Sequence, residues 1–179
     1  MKSLTLILGG ARSGKSNFAQ RLARARGGDA VLFVATAEAR DDEMRARITA
    51  HRAARPATWQ TLEAPREIAR ALKLANARVV VVDCVTLWTS NVLLAKDACA
   101  EAEMMREVDE LLAWYHANDT ALILVSNEVG MGVVPDNALG RAYRDLLGAV
   151  NQRLAAQADE VFLLVAGLPL EIKARAWQG

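Results

Sequence analysis

Eight residues near the amino terminus constrain this chain more than anything else in it. Gly9-Gly10-Ala11-Arg12-Ser13-Gly14-Lys15-Ser16 matches G-x-x-x-x-G-K-[ST] at every fixed position. The apolar run Leu4 to Leu8 precedes the motif and a segment of helical composition from Lys15 to about Arg26 follows it. That is the strand, loop, helix context the motif requires. Glycines let the backbone curl until successive N–H groups point at phosphate oxygens, and the helix start adds the positive end of its dipole. Lys15 is placed to neutralise the β- and γ-phosphates, and the Ser16 hydroxyl to bind Mg²⁺. A glycine-rich turn that merely joins strand to helix is the plainer reading, and the complete motif in this setting argues against it.

A phosphate loop of this kind needs a sheet behind it, and the rest of the chain supplies the pattern of one. Short apolar runs at Leu4-Leu8, Val31-Ala35, Val79-Asp83, Ala121-Ser126 and Val161-Val165 alternate with longer helical segments. Their near-continuous apolar character predicts parallel strands covered on both faces. Helices are expected at Lys15 to Arg26, Asp41 to Arg55, Pro65 to Ala75, Cys99 to Asn118 and Asn137 to Gln157. At 179 residues, with no repeat and no Pro-, Gly- or Ser-rich linker, one α/β domain is the expectation.

Charge and apolar content exclude several classes of function. Twenty-two basic residues against twenty-one acidic ones leave a net charge of +1, with no global field to collect nucleic acid. No apolar stretch approaches the ~20 residues of a membrane-spanning helix, and the apolar run after Met1-Lys2 is shorter than the core of a signal peptide. Cys84 and Cys99 form no zinc-type cluster, and reduced thiols in a cytoplasm fit best.

Two further positions carry chemistry. Val79-Val80-Val81-Val82-Asp83 ends a buried strand in a carboxylate, the arrangement that completes a magnesium site opposite such a loop. A strand-end Asp is also a common cap, so Asp83 gains its meaning from the loop. On the second helix Met44, Ile48 and His51 share an apolar stripe, while Arg47, His51 and Arg55 form a row. The arginines would gather nucleotide phosphates, and a neutral imidazole can attack phosphorus. An ordinary helix histidine beside a solvated basic face satisfies the same spacing. His116, beside Trp114 and Tyr115, reads as a packing or surface residue.

Taken together, several stretches resemble the bifunctional adenosylcobinamide kinase and adenosylcobinamide-phosphate guanylyltransferase family of cobalamin nucleotide-loop assembly. They are GGARSGKS (Gly9 to Ser16), Ala35-Thr36-Ala37, DDEMRARI with HRAARP (Asp41 to Pro56), WQTLEAP (Trp59 to Pro65), VVDC (Val81 to Cys84), SNEVGMGVVP (Ser126 to Pro135) and NQRLAAQADEV (Asn151 to Val161). The resemblance spans nearly the whole chain. It implies phosphorylation of adenosylcobinamide by ATP or GTP, then transfer of GMP from GTP to adenosylcobinamide phosphate through a GMP-histidine at His51. By the same resemblance Lys15 is catalytic. Nucleotide contacts fall on Gly9, Gly10, Ala11, Arg12, Ser13, Gly14, Lys15, Ser16, Ala35, Thr36, Ala37, Arg52, Ala53, Ala54, Arg55, Glu63 and Asp83. Ser16 and Asp83 hold Mg²⁺. A RecA-like, mostly parallel sheet and a homotrimer are also implied. Some relatives carry a second histidine beside this one, where Ala50 stands here, so His51 is the one candidate in the motif.

Asn127 and Glu128, at the carboxyl end of a strand, could hold substrate or water, or belong to a plain connection. Trp88 and Val92 could face a corrin ring, although such residues more often fill a core. Two other functions remain compatible with the residues: a simple kinase that never modifies its histidine, and a nucleotide-gated regulatory module.

Overall fold

The structure is a computed structural model, described for residues 2–95 and 99–177; Met1, at the head of the signal-like start, lies outside them. Seven strands form one sheet: β1 (Ser3–Gly9), β2 (Val31–Ala35), β3 (Gln60–Glu63), β4 (Val79–Asp83), β5 (Ala121–Val125), β6 (Glu160–Val165) and β7 (Leu168–Glu171). Their order is β3-β2-β4-β5-β1-β6-β7. All pairings are parallel except β6 with β7, a hairpin at the edge. The helices are α1 (Lys15–Gly27), α2 (Asp42–Ala53), α3 (Ile68–Leu72), α4 (Val85–Ala95), α5 (Ala100–Ala117) and α6 (Ala138–Gln157). This is the α/β, mostly parallel, helix-flanked sheet that the apolar runs predict.

The alternation of strand side chains divides the core in two. Leu4, Leu6, Val80, Val82, Leu122 and Leu124 face one side and pack with residues of α3, α4, α5 and α6. Ile7, Val79, Val81, Ile123 and Val125 face the other and meet Ala19 and Ala23 of α1. Each fully buried Val, Leu or Ile contributes about 1.5–3 kcal/mol, so both layers matter. The α1 layer is thin because its contact residues are small. Gly27 lies so close to the sheet that a Cβ there would stand 2.6 Å from Val79.

Three elements escape the sequence pattern, and a fourth is shorter than expected. Strand β3 is an edge strand with mostly exposed side chains, so it carries no apolar run. Helix α4, VTLWTSNVLLA, lacks charges and a polar face because it is largely buried; Trp88 is fully enclosed there, and its indole N–H donates to Glu107 at 2.6 Å. That places Trp88, like Val92 of the same helix, in the core, the plainer of the two readings of these residues. Strand β7 spans only Leu168–Glu171 and includes Pro169, which an edge tolerates. The helix expected from Pro65 begins only at Ile68. Glu67 sits at φ 49°, and its N–H donates to Glu107 at 2.7 Å, so the chain turns before it coils.

Helix α2 differs from the expectation in a way that bears on function. It starts as predicted, with Asp41 accepting from the Met44 N–H at 2.7 Å, an N-cap worth about 1 kcal/mol. It ends at Ala53, leaving Arg55 outside. None of its residues is buried. The Met44, Ile48, His51 stripe therefore does not pack on the sheet; it looks into a cleft.

Candidate active site

The phosphate loop is shaped by its glycines at two positions. Gly9 has φ 152°, and a Cβ there would meet the Leu164 carbonyl oxygen at 2.6 Å and Ser13 Oγ at 2.7 Å. Gly14 has φ 94° and abuts Gly167 of the β6–β7 turn, whose N–H donates to the Ser13 carbonyl at 3.0 Å. The edge hairpin thus props the loop from behind. Lys15 starts α1 with its side chain buried along the loop, where Nζ donates to the Gly10 carbonyl at 2.7 Å and to Ser13 Oγ at 3.5 Å. Burial lowers the Lys15 pKa, while Cys84 and Asp83 act in the opposite direction. Its ammonium lies along the curl where terminal phosphates are held.

Strand β4 delivers Asp83 directly opposite. In register it pairs with Ala35 of β2 and Val125 of β5, which places it at the carboxyl end of the sheet beside the loop. Its Oδ2 is fully enclosed and has no hydrogen-bond partner among the described residues. Burial pushes the carboxyl above its usual range, with the Ser16 hydroxyl and the charges of Arg55 and Lys15 pulling the other way. An enclosed carboxylate oxygen with an unspent lone pair, beside a hydroxyl, fits a hard cation such as Mg²⁺. Among the described residues no group of three or more His, Cys, Asp or Glu could form an all-protein metal cage. Mg²⁺ does not need one, since it is commonly held by one or two side chains together with substrate phosphates.

The raised pKa sets a stability prediction. Folded Asp83 binds its proton more tightly than unfolded Asp, so the native state carries the extra proton above pH ~4 and stability falls as pH rises through that window. Asp83→Asn is therefore expected to stabilise the nucleotide-free protein at neutral pH by on the order of 1 kcal/mol and to flatten that part of the pH dependence. Thermal denaturation from pH 4 to 8 checks this; a less stable variant at neutral pH would contradict it.

A cleft of about 690 Å³ joins these groups to α2. Of the predicted site residues, Ala11, Arg12, Lys15, Ser16, Ala35, Ala37, His51, Arg55, Glu63 and Asp83 line it. Met44, Arg47 and Ile48 line it from the same helix as His51. Arg55 stacks over Phe33 with its guanidinium carbon 3.8 Å from the ring centre, and its Nε donates to the His51 carbonyl at 3.0 Å. A cation–π contact is worth about 0.5–2 kcal/mol. Arg55 thereby fixes the end of α2 that bears His51. Arg52 instead pairs with Glu63 at 2.8 Å on the exposed rim.

Other predicted residues stand apart. Gly9, Gly10 and Ser13 form the curl without lining the cleft, and Ala53 is exposed. Gly14 and Ala54 line a second depression of about 740 Å³ on the outer side of α1, which Arg55 also borders. Thr36 is fully buried and turned away from the cleft. Its hydroxyl donates to the Cys84 carbonyl at 2.7 Å and accepts from the Cys84 N–H at 2.8 Å, fastening β2 to the end of β4. Asn91 of α4 completes this fastening by donating to the carbonyls of Thr36 and Pro65, at 2.8 and 3.1 Å. Thr86, Thr89, Ser90 and Asn91 interrupt the otherwise apolar α4 segment, and that interruption is the sequence signal through which Asn91 could have been found. Arg40, which also lines the cleft, carried no such signal.

With this geometry in view, comparison with known proteins decides the family. The family model described as cobinamide kinase / cobinamide phosphate guanyltransferase matches residues 5–172. The chain belongs to that family. It is 47% identical over 170 residues to the bifunctional adenosylcobalamin biosynthesis protein CobP of Pseudomonas aeruginosa, covering 94% of this chain and 96% of the relative. It is 42% identical to the bifunctional adenosylcobalamin biosynthesis protein CobU of Salmonella typhimurium, and 40% identical to the protein of that name from Escherichia coli. Each of those two alignments covers 95% of this chain and 99% of the relative. The cleft brings the phosphate loop's Lys15 and Ser16 together with Asp83 and His51. No helix among the described residues is long and apolar enough to cross a membrane.

Proposed function

We propose that this chain phosphorylates adenosylcobinamide with ATP or GTP and then transfers GMP from GTP to adenosylcobinamide phosphate. The observation that carries the proposal is that Lys15 and Ser16 of α1, Asp83 of β4 and His51 of α2 line one cleft. In the kinase step the loop amides and Lys15 hold the β- and γ-phosphates while the acceptor hydroxyl attacks the γ-phosphorus. In the second step a neutral ring nitrogen of His51 bonds to the α-phosphorus of GTP. The bond from that phosphorus to the α–β bridging oxygen breaks, pyrophosphate leaves with the electron pair, and the ring gives up its proton. A phosphate oxygen of the acceptor then bonds to that phosphorus as the phosphorus–nitrogen bond breaks, the ring takes a proton back and leaves as neutral imidazole, and the diphosphate is complete. Mg²⁺, held by Ser16 and Asp83, would neutralise charge on the phosphate oxygens. The main-chain curl and Lys15 supply the preorganised positive field that makes either leaving group acceptable.

The loop that continues from Asn127 exposes Met131, Val133 and Val134, apolar surface of the kind a corrin ring could rest against. A homotrimer in the cytoplasm is part of the same proposal, and the exposed Val165, Leu168 and Leu170 of the edge hairpin are surface that another copy would cover. Incubating the purified protein with adenosylcobinamide, Mg²⁺ and each triphosphate is expected to give first the phosphate and then, with GTP, the GDP derivative. The phosphate alone would reduce the protein to a kinase. Slow hydrolysis indifferent to the acceptor would make it a nucleotide-gated module.

A further inference from the structure

We infer that Asn127 is a catalytic residue of the phosphoryl-transfer step, its carboxamide holding the acceptor hydroxyl against the γ-phosphate. The inference rests on the functional reading above and extends it to a residue outside the nucleotide-contact set. Its basis is an unusual division of labour at this residue. The main chain around Asn127 is held at three points. Its N–H donates to Thr86 Oγ1 at 2.8 Å, its carbonyl accepts from Asn151 Nδ2 at 3.0 Å, and the following N–H, of Glu128, donates to the Gly9 carbonyl at 3.1 Å. The holding groups are themselves held. Asn151 accepts from the buried Ser126 hydroxyl at 2.7 Å, and the Thr86 carbonyl accepts from the Tyr143 hydroxyl at 3.2 Å. Thr86, Ser126 and Asn151 are all buried.

While its backbone is fastened to β1, α4 and α6, the Asn127 carboxamide makes no hydrogen bond among the described residues and lines the cleft. A buried polar network that spends several hydrogen bonds to fix one backbone, and leaves that residue's own donor and acceptor unspent, builds a preorganised contact for something absent from the chain. Its location says what. Val125 is the register partner of both Asp83 and Ile7, so Asn127, two residues further on, stands between the metal-type carboxylate and the start of the phosphate loop. The Glu128 bond to Gly9 ties it to the same end of the loop where Lys15 Nζ rests on Gly10. That end is where the terminal phosphate of a bound triphosphate is expected. His51 reaches the cleft from α2, a different wall, and serves the other reaction.

In the step so assigned, Oδ1 of Asn127 accepts a hydrogen bond from the acceptor hydroxyl and Nδ2 donates to a γ-phosphoryl oxygen. The hydroxyl oxygen bonds to the γ-phosphorus as the bond to the β–γ bridging oxygen breaks, its electron pair leaving on the nucleoside diphosphate. The hydroxyl proton passes to the transferred phosphoryl group and then to water. Aligning nucleophile and phosphorus without supplying charge is a positioning effect of the kind that dominates phosphoryl transfer.

The test compares both reactions in Asn127→Ala and Asn127→Asp, using adenosylcobinamide and ATP for the first and α-labelled GTP for the second. Phosphorylation by either variant is expected to fall about 100-fold in kcat, whereas GMP bound to the protein falls no more than a few-fold. Aspartate is expected not to rescue, because it lacks the donor and repels phosphate. The retained GMP adduct reports that each variant is folded. Equal losses in both reactions, or an unchanged kinase rate, would overturn the assignment. A wild-type protein that phosphorylates nothing would instead overturn the functional reading on which it rests.

Discussion

Replacing His51 by alanine is expected to abolish the covalent attachment of GMP and to cut guanylyl transfer by on the order of 10⁴-fold, while phosphorylation of the acceptor stays within about tenfold of wild type. The expectation follows from the asymmetry of the cleft. His51 sits on α2, a helix with no buried residue, so its removal opens no cavity and leaves the sheet, the loop and Asp83 in place. Its imidazole borders the cleft beside Arg55 and opposite the phosphate loop, where a triphosphate's α-phosphorus can be met by a nucleophile that the loop itself cannot provide. GTP labelled at the α-phosphate should leave its label on the wild-type protein as an adduct labile to acid and stable to base, as a phosphorus–nitrogen bond requires. Equal labelling of the alanine variant would remove His51 from the mechanism. Loss of both reactions together would make it a binding residue.

Lys15→Ala is expected to reduce both reactions and to weaken triphosphate binding by on the order of 10–100-fold, the consequence of losing charge-assisted contacts worth about 1.5–3 kcal/mol. The loss has a second source in the free protein. Lys15 Nζ spans the loop to the Gly10 carbonyl and Ser13 Oγ, so alanine also removes an internal brace of the curl. Calorimetric titration with a non-hydrolysable triphosphate separates these contributions from turnover. Unchanged affinity would contradict the assignment of the loop to phosphate binding.

Where the chain encodes structure through local regularities, the sequence was legible. The loop motif, the run ending in Asp83 and the apolar strands each carry a pattern with a physical cause, and those five runs are the parallel strands β1, β2, β4, β5 and β6, whose spatial order β2-β4-β5-β1-β6 no run encodes. The elements that went unseen lack it. Strand β3 is exposed, β7 is short, and α4 is so thoroughly buried that no polar face marks it as a helix. The orientation of α2 was hidden for a related reason. An apolar stripe on a helix reads alike whether it faces a core or a cleft, and only the tertiary arrangement turns Met44, Ile48 and His51 toward Asp83. Thr36 shows the converse. The resemblance implies a nucleotide contact at Thr36, and no local pattern shows that its hydroxyl is engaged with Cys84. Asn127 could be placed at a strand end from sequence, but the network that locks its backbone through Thr86 and Asn151 joins residues 41 and 24 positions away.

The measurement that bears most directly on the central claim is a crystal structure of the protein with GTP and Mg²⁺. The account predicts phosphates cradled by Gly9 to Ser16, the metal between Ser16 and Asp83, and a ring nitrogen of His51 bonded to, or in line with, the α-phosphorus. A nucleotide seated away from that loop, or a His51 ring that faces solvent while the triphosphate is bound in full, would contradict it.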